Sequence, residues 1–319
     1  MSPAHTMLSL AEDYLAERRR LGFDLRIHGQ QIIAFARFAD ESGHQGPLTI
    51  SLLLDWVQGE ARHATAFTWA RRLAVLRPFA KYLARLDAAT EFPRTPIFGR
   101  SRQRLAPHIY TDGEIADLLA AARKLPSRNG LRPATYEAMF GLIAATGLRI
   151  SEALHLQCGD VDADQAVLTV RKTKFRKSRH VPLHPTVVTA LQGYMKVRTR
   201  YAAATDAALF QSSSGKPLQS RMVHHVFQQL RVGLGWKARG GHDAPRIHDL
   251  RHTFICRRLQ LWQEHGADID NAVAALSTYV GHAKISDTYW YLTGVPELMA
   301  TACKRFELFA ADTREDRHG

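Results

Sequence analysis

Four short stretches of the sequence carry polar side chains that the surrounding pattern does not require. They are residues 145–153 (ATGLRISEA), 171–179 (RKTKFRKSR), 248–252 (HDLRH) and 280–291 (VGHAKISDTYWY). Arginine forks can neutralise the charge on a five-coordinate phosphorus. A histidine can accept a proton, a lysine can donate one, and a tyrosine can attack to form a covalent ester. Together the four stretches predict phosphate chemistry that uses no metal.

Each stretch also has a plainer interpretation when it is taken alone. Arg149 lies in a turn between two apolar helices, where an arginine is more often structural. The basic stretch 171–179 can contact a DNA backbone without transferring a proton. His248 and His252 have the spacing of a zinc-binding pair, but no glutamate follows the first histidine and the adjacent arginine would repel a dication. We therefore predict no metal site.

The charge of the chain points to an acidic partner. Its 319 residues include 43 lysines and arginines against 30 aspartates and glutamates, a formal net charge of +13. Arginine accounts for 33 of these basic residues, and its planar fork matches phosphate oxygens. This favours nucleic acid as the partner over a merely solvated basic surface. The content of 45% hydrophobic and 23% charged residues excludes disordered, collagen-like and coiled-coil chains.

Cysteine usage and hydropathy predict a cytoplasmic protein without a membrane segment. The three cysteines, Cys158, Cys256 and Cys303, form no C-x-x-C pair, so neither a disulfide framework nor a cysteine zinc site is expected. The first residues lack the basic-then-apolar pattern of a secretory signal. The longest largely apolar stretch, residues 138–148, is far shorter than the ~20 residues that span a bilayer.

Prolines divide the chain into two domains. Three of them fall in a basic segment, residues 93–109, which predicts an extended linker because proline fixes φ and removes a hydrogen-bond donor. Such a linker can lie along a phosphate backbone or be a solvated tether. Residues 1–92 show only helical patterns, and residues 110–319 form the second domain.

The most informative helical pattern of the first domain spans residues 68–86. Its apolar residues fall on one arc and its basic residues on the opposite arc. The residues of the basic arc are Arg71, Arg77, Lys81 and Arg85. We predict that this arc contacts DNA; the alternative is an exposed, solvated face. Pro78 can split the segment into two helices.

The second domain begins with helical patterns and then changes character. VLTV (167–170) and RHVPL (179–183) are short β-type runs on either side of a basic connector. This arrangement predicts a hairpin with a charged tip. From about residue 217 the pattern is again helical. The predicted fold class is therefore mainly α with a small antiparallel β-sheet, in two domains.

The order of these motifs resembles the tyrosine recombinase (phage integrase, Xer-like) family. ATGLRISE, TKFRKSRHVPL, HDLRH, VGH and a tyrosine follow one another in the family's order between about residue 110 and residue 292. The nine residues from His282 to Tyr291 match the family's spacing. The resemblance implies a two-domain architecture, with a helical core-binding domain over 1–92 and an α+β catalytic domain over 110–319.

The resemblance also implies a catalytic role for six residues. They are Arg149, Lys174, His248, Arg251, His282 and Tyr291. The two arginines would grip the scissile phosphate, with Glu152 steadying the first. Tyr291, rather than the nearby Tyr289, would be the nucleophile.

The other matching residues would handle protons and bind DNA. His248 would act as a general base or donate to the phosphate, and His282 would hydrogen-bond the phosphate. Lys174 would protonate the leaving 5′ oxygen, with Lys172 and Lys177 as less favoured alternatives. The hairpin residues expected to bind DNA are Arg176, Lys177 and Arg179.

The implied activity is that of a site-specific recombinase that breaks and rejoins DNA through a 3′-phosphotyrosyl intermediate. The ester conserves the bond energy, so no cofactor is expected. Double-stranded DNA would be the partner, bound at two sites by a homotetramer or by a hetero-tetramer with related recombinases. The alternatives are a type IB topoisomerase-like or telomere-resolving strand transferase and a non-cleaving DNA-binding regulator. The stretch 260–272 is assigned no role.

Overall fold

The chain divides into two units, residues 1–104 and residues 105–319. The division falls inside the segment that the sequence analysis assigns to the linker. The structure is a computed structural model. It describes residues 6–59, 65–99, 104–171, 178–200 and 207–294.

The described residues of the first unit form four helices around an aromatic core. The helices are α1 (Met7–Arg20), α2 (Arg26–Glu41), α3 (Ile50–Gly59) and α4 (Ala66–Leu86). Phe35 and Trp56 meet edge to face with their ring centroids 5.8 Å apart, and Phe79 is fully buried beside Tyr14. Helix α4 continues through Pro78 without a break, so its apolar residues keep one phase and form the wall of this core.

The described ends of the proposed linker pack against the units that they adjoin. Before the gap, the ring of Phe98 lies 5.5 Å from that of Trp69, and Arg77 donates to the carbonyl of Arg94 at 2.7 Å. After the gap, the carbonyl of Ala106 accepts from the backbone of Gly241 at 2.8 Å in the second unit. These two ends are therefore packed chain rather than free tether.

The second unit surrounds a three-stranded sheet with eight helices among its described residues. The strands are β1 (Val161–Asp162), β2 (Val167–Val170) and β3 (Arg179–Pro182), paired antiparallel in the order β1-β2-β3. The first helices are α5 (Asp112–Arg123), α6 (Leu131–Thr146) and α7 (Ile150–Leu154). After the sheet come α8 (Pro185–Thr199), α9 (Ser220–Gly233), α10 (Ile247–Glu264), α11 (Ile269–Val280) and α12 (Ser286–Gly294).

Two buried clusters hold the second unit together. The larger one joins α5, α6, α8 and α9 to the sheet through residues such as Phe140, Leu168 and Phe227. The smaller one joins α10, α11 and α12, and it includes Val280 and Tyr291. Since the second cluster fixes the middle of α10 and the end of α11 against α12, it positions the residues discussed below. Within the described ranges, every helix is too short or too polar to cross a bilayer.

Candidate active site

Sharp turns at the ends of two helices bring the predicted site residues together. Gly147 ends α6 in the left-handed region with φ +64°. A Cβ at this glycine would lie 2.6 Å from the ring of Phe254, so the turn that delivers Arg149 needs glycine. Gly281 ends α11 in the same way, with φ +68°, and His282 follows it directly.

Glu152 is the anionic centre of the site. Its carboxylate accepts from the Arg149 guanidinium at 2.9 Å and from the Arg149 backbone at 3.0 Å. The Arg179 guanidinium donates to both carboxylate oxygens, at 3.1 and 2.9 Å. Burial on its own would raise the pKa of Glu152, but the hydrogen bonds and charges of Arg179 and then Arg149 outweigh it and lower that pKa. Glu152 therefore holds two arginines at once.

Arg179 lies inside the site, although the sequence analysis groups it with the DNA-contacting residues. Besides Glu152, its guanidinium binds the carbonyl of Tyr279 at 2.8 Å, and only 11% of the side chain is exposed. The physical reason for this position of Arg179 is the burial of Glu152. A second guanidinium offsets more of the free energy that burial of the carboxylate charge costs. A contact between Arg179 and DNA stays a prediction.

Three consecutive carbonyls at the end of α11 each bind one arginine. Tyr279 accepts from Arg179 at 2.8 Å, Val280 from Arg251 at 2.8 Å, and Gly281 from Arg149 at 3.0 Å. The C-terminal end of a helix carries partial negative charge, which favours cations there. The end of α11 thus arranges three guanidiniums, and motif spacing in the sequence does not reveal it.

Arg251 is the most deeply placed of the three arginines. It is 1% exposed, and its second hydrogen bond goes to the carbonyl of Gly147 at 2.7 Å. Burial, with the neighbouring charge of Arg149 next, lowers the pKa of Arg251 to about 9. The guanidinium is therefore still charged at neutral pH. Its hydrogen bonds to the carbonyls of Gly147 and Val280 fix its direction.

We expect Gly281→Ala to disturb this arrangement. A Cβ at residue 281 would lie 2.7 Å from Nη1 of Arg179, and the left-handed φ costs a further ~1–2 kcal/mol for a residue with a side chain. The matched control is Gly235→Ala, which has φ +65° but no heavy atom within 4 Å of the added carbon. Urea unfolding should show a larger decrease in the free energy of unfolding for Gly281→Ala than for Gly235→Ala. Equal losses in the two variants would contradict the contact with Arg179.

We also expect the stability supplied by Glu152 to depend on pH. Because its pKa is lowered in the folded state, the contribution is complete above the unfolded value of ~4.3 and disappears as the pH falls through the folded value. At about pH 7, Glu152→Gln should lose ~3 kcal/mol, as expected for breaking a buried ion pair. Urea unfolding at about pH 7 and about pH 3.5 should show this deficit shrink in acid.

The control for that experiment is a surface ion pair. Glu137 binds Arg123 at 2.6 Å, with 31% and 62% of the two side chains exposed. Glu137→Gln should therefore cost less than ~1 kcal/mol at either pH. A Glu152→Gln deficit of the same size at both pH values would show that charge pairing is not its source.

The two tyrosines of α12 lie in different surroundings. Tyr291 is 3% exposed, its ring is parallel to that of His282 at a centroid distance of 6.4 Å, and its hydroxyl is 2.6 Å from Nδ1 of His252. Tyr289 is exposed and donates from its hydroxyl to Asp270 at 2.9 Å. Of the two, Tyr291 is the tyrosine that lies among the histidines of the site.

His282 and His248 also lie in the site, near Tyr291 and His252. Nδ1 of His282 is 2.7 Å from the hydroxyl of Thr288. The His248 ring meets that of His252 at a centroid distance of 4.7 Å. His248 is exposed on one side, but desolvation by the atoms around its ring, with the charges of Arg251 and Arg246 next, lowers its pKa to about 4. His248 is therefore neutral at physiological pH. His252, which the sequence analysis considered only as part of a zinc pair, is the additional residue of this site.

Several predicted residues do not belong to this cluster or cannot be placed. Lys174, Arg176 and Lys177 lie outside the described residues, so their positions stay predictions. On α4, Arg77 is partly buried and bound to the carbonyl of Arg94. The exposed basic residues of that helix are Arg71, Lys81 and Arg85.

Comparison with known proteins agrees with this fold. Residues 109–295 match the phage integrase family. The chain is 40% identical over 309 residues to y4rB of Sinorhizobium fredii, described as an integrase/recombinase, covering 95% of this chain and 97% of that protein. It is 29% identical over 229 residues to the tyrosine recombinase XerC of Lacticaseibacillus casei, covering 70% of each.

The fold is also similar to that of the integrase of transposon Tn1549, solved in complex with transposon right end DNA. The TM-score is 0.64 at 17% identity, covering 95% of this chain and 100% of the other. The chain belongs to the phage integrase family of tyrosine recombinases, which break and rejoin DNA. The family and the mainly helical, two-part fold predicted from the sequence are confirmed.

Proposed function

We propose that this protein cleaves one strand of duplex DNA with Tyr291 and conserves the bond as a 3′-phosphotyrosyl ester. The observation that carries the proposal lies at the end of α11. Tyr291 packs in the same buried cluster as Val280, and the carbonyls of Val280 and Gly281 bind Arg251 and Arg149. A nucleophile beside two fixed guanidiniums is the arrangement that attack on a phosphate requires.

The arginines are suited to a phosphate because their directions are set before DNA binds. In Arg149 and in Arg251, two N–H groups are used by the protein, out of the five that each fork carries. The N–H groups beyond these can donate to non-bridging phosphate oxygens. Fixed donors need no reorganisation as negative charge builds up on the phosphorus, so they stabilise the transition state more than the bound substrate.

The proposed reaction exchanges one phosphate ester for another. The Tyr291 oxygen bonds to phosphorus, the bond from phosphorus to the 5′ oxygen breaks, and Lys174 protonates that oxygen. His248 and His282 donate hydrogen bonds to the phosphate. In the second half, the 5′ hydroxyl of another strand attacks the phosphotyrosine and releases Tyr291. Each step conserves one ester bond, so the exchange needs no external energy source.

We expect Lys174→Ala to slow cleavage by ~10²–10⁴, the usual contribution of a general acid. A DNA substrate with sulfur in place of the bridging 5′ oxygen should restore most of that loss, because a thiolate leaves without being protonated. Lys172→Ala and Lys177→Ala are the matched controls. Because Lys177 is also a proposed DNA contact, rates are compared per bound complex, and both controls should then cleave the oxygen substrate at near wild-type rates. If Lys172→Ala or Lys177→Ala slowed cleavage of the oxygen substrate and the sulfur substrate restored the rate, the general acid would be that residue and not Lys174.

The proposed partner is double-stranded DNA in the cytoplasm. Exposed basic residues of α4, namely Arg71, Lys81 and Arg85, would contact its backbone, with Arg77, Arg176, Lys177 and Arg179 as further proposed contacts. One protomer carries one proposed nucleophile and cuts one strand. Exchange between two duplexes requires four cuts, so we propose a tetramer, of this chain alone or with a related recombinase, on two DNA sites.

The test of the proposed function is a covalent protein–DNA complex. Binding sites would be selected by the full-length protein from a pool of random-sequence duplexes. They would then be resynthesised with a nick that lets the short fragment carrying the released 5′ hydroxyl diffuse away. We expect a band that resists SDS and disappears with protease. Binding without such a band would indicate a non-cleaving regulator. A band accompanied by relaxation of supercoils but not by strand exchange would indicate a topoisomerase-like activity.

A further inference from the structure

His252 contacts the atom that the proposed reaction must deprotonate. Its Nδ1 lies 2.6 Å from the Tyr291 hydroxyl oxygen, a distance typical of a strong hydrogen bond. The two rings have centroids 5.5 Å apart. His252 stands one helical turn after His248 on α10, so the same face of the helix presents both imidazoles.

The surroundings of His252 keep its imidazole neutral. The side chain is half-buried, and burial is the first cause that lowers its pKa to about 2. The groups that add to this effect are His248, Arg246, Arg251 and His282. The ring also faces Trp290 and the Tyr291 hydroxyl from α12. A neutral imidazole retains one unprotonated nitrogen that can accept a proton.

We propose that His252 is a catalytic residue that accepts the Tyr291 proton as the tyrosine attacks the DNA phosphate. The inference rests on the proposed function above. In this step the Tyr291 O–H bond breaks, its proton moves to Nδ1 of His252, and the tyrosine oxygen bonds to phosphorus while the bond to the 5′ oxygen breaks. In the reverse reaction the imidazolium returns the proton to the leaving tyrosine oxygen.

Geometry favours His252 over His248 for this role. A general base must lie within hydrogen-bonding distance of the proton that it takes, and Nδ1 of His252 meets this condition. The role requires the tautomer with its proton on Nε2, which leaves the lone pair of Nδ1 facing the tyrosine. Phosphate bound by the arginines would also stabilise the imidazolium, because its negative charge offsets theirs.

Two substitutions at residue 252 separate proton transfer from positioning. His252→Phe keeps a ring against Trp290 and Tyr291 but removes the acceptor. His252→Asn keeps an acceptor oxygen near the place of Nδ1 but cannot take a proton at neutral pH. The matched control is His265→Asn, at the exposed C-terminal end of the same helix, where Nδ1 lies 2.6 Å from the carbonyl of Leu261.

The readout is the rate of covalent complex formation by full-length protein on the selected nicked duplex, with DNA binding measured in parallel. Both residue-252 variants should bind DNA normally and cleave ~10²–10⁴ more slowly, with the control unchanged. Their deficit should shrink as the pH rises, since hydroxide then removes the tyrosine proton. Near-normal cleavage by His252→Asn would overturn the proposal, leaving a positioning role. Faster cleavage by His252→Phe would also overturn it, by showing that the bond restrains Tyr291.

The same assay separates failure of this inference from failure of the proposed function. If the wild-type protein forms no covalent complex, the function itself fails. If the wild type forms the complex through Tyr291 and both residue-252 variants match its rate, only the role of His252 fails. A variant that misfolds would be detected by its loss of DNA binding. The pH dependence of cleavage by the other residue-252 variant would then decide the role of His252.

Discussion

Tyr291→Phe is expected to abolish covalent complex formation while leaving DNA binding intact. The substitution removes the oxygen that is proposed to attack phosphorus, and loss of a nucleophile commonly costs at least ~10⁴-fold. The ring itself is retained, so its packing with Trp290 and the parallel ring of His282 should persist. The measurement is the SDS-resistant band on the nicked duplex, with binding followed by gel shift.

Tyr289→Phe is the matched control for that result. It deletes a hydroxyl two residues away that donates to Asp270 at the surface, so we expect cleavage within about threefold of the wild type, the scale of a small surface perturbation. A band that survives Tyr291→Phe and vanishes in Tyr289→Phe would assign the nucleophile to the other tyrosine.

Arg251→Lys is also expected to slow cleavage strongly. The arginine binds two carbonyls, those of Gly147 and Val280, with separate N–H groups of one rigid fork. A lysine ammonium is a single point that cannot span both carbonyls and also face a phosphate in the same geometry. We expect cleavage by the bound complex to fall by ~10²–10³, the scale of losing a fixed donor to the developing charge.

A second buried arginine provides the control for loss of stability. Arg198 is 2% exposed and donates to the carbonyls of Ala208 and Leu209, away from the candidate site. Arg198→Lys should lower the free energy of unfolding without slowing cleavage per bound complex. If Arg251→Lys lost only stability and cleaved normally once bound, Arg251 would be a structural residue rather than a phosphate ligand.

Local sequence patterns predicted the elements of the fold well. The β-type runs at 167–170 and 179–183 pair as the predicted hairpin, with Val170 opposite Arg179. Helix α5 begins with a capping box between Thr111 and Glu114. These features depend on residues close in the chain, so turn and capping chemistry specify them. The sequence left open whether Pro78 splits the segment into two helices. In the structure α4 is one helix, and its apolar residues are buried on one face.

The contacts inside the site were harder to predict because they join distant parts of the chain. Arg179 has the same charge as its neighbours in the basic connector, and nothing nearby in the sequence indicates that Glu152 holds it. The acceptors at the end of α11 are backbone carbonyls, which leave no signature in side-chain type. The pairing of His252 with Tyr291 spans 39 residues. Only the packing of α10 against α12 reveals it.

The most direct test of the central claim is to locate the nucleotide on the protein after cleavage. Trypsin should release residues 285–304 as one peptide, which contains both Tyr289 and Tyr291. After nuclease digestion, fragmentation of that peptide in a mass spectrometer assigns the added mass to one side chain. We expect a nucleotide joined through its 3′ phosphate to Tyr291. A nucleotide on Tyr289, or on any other residue, would contradict it.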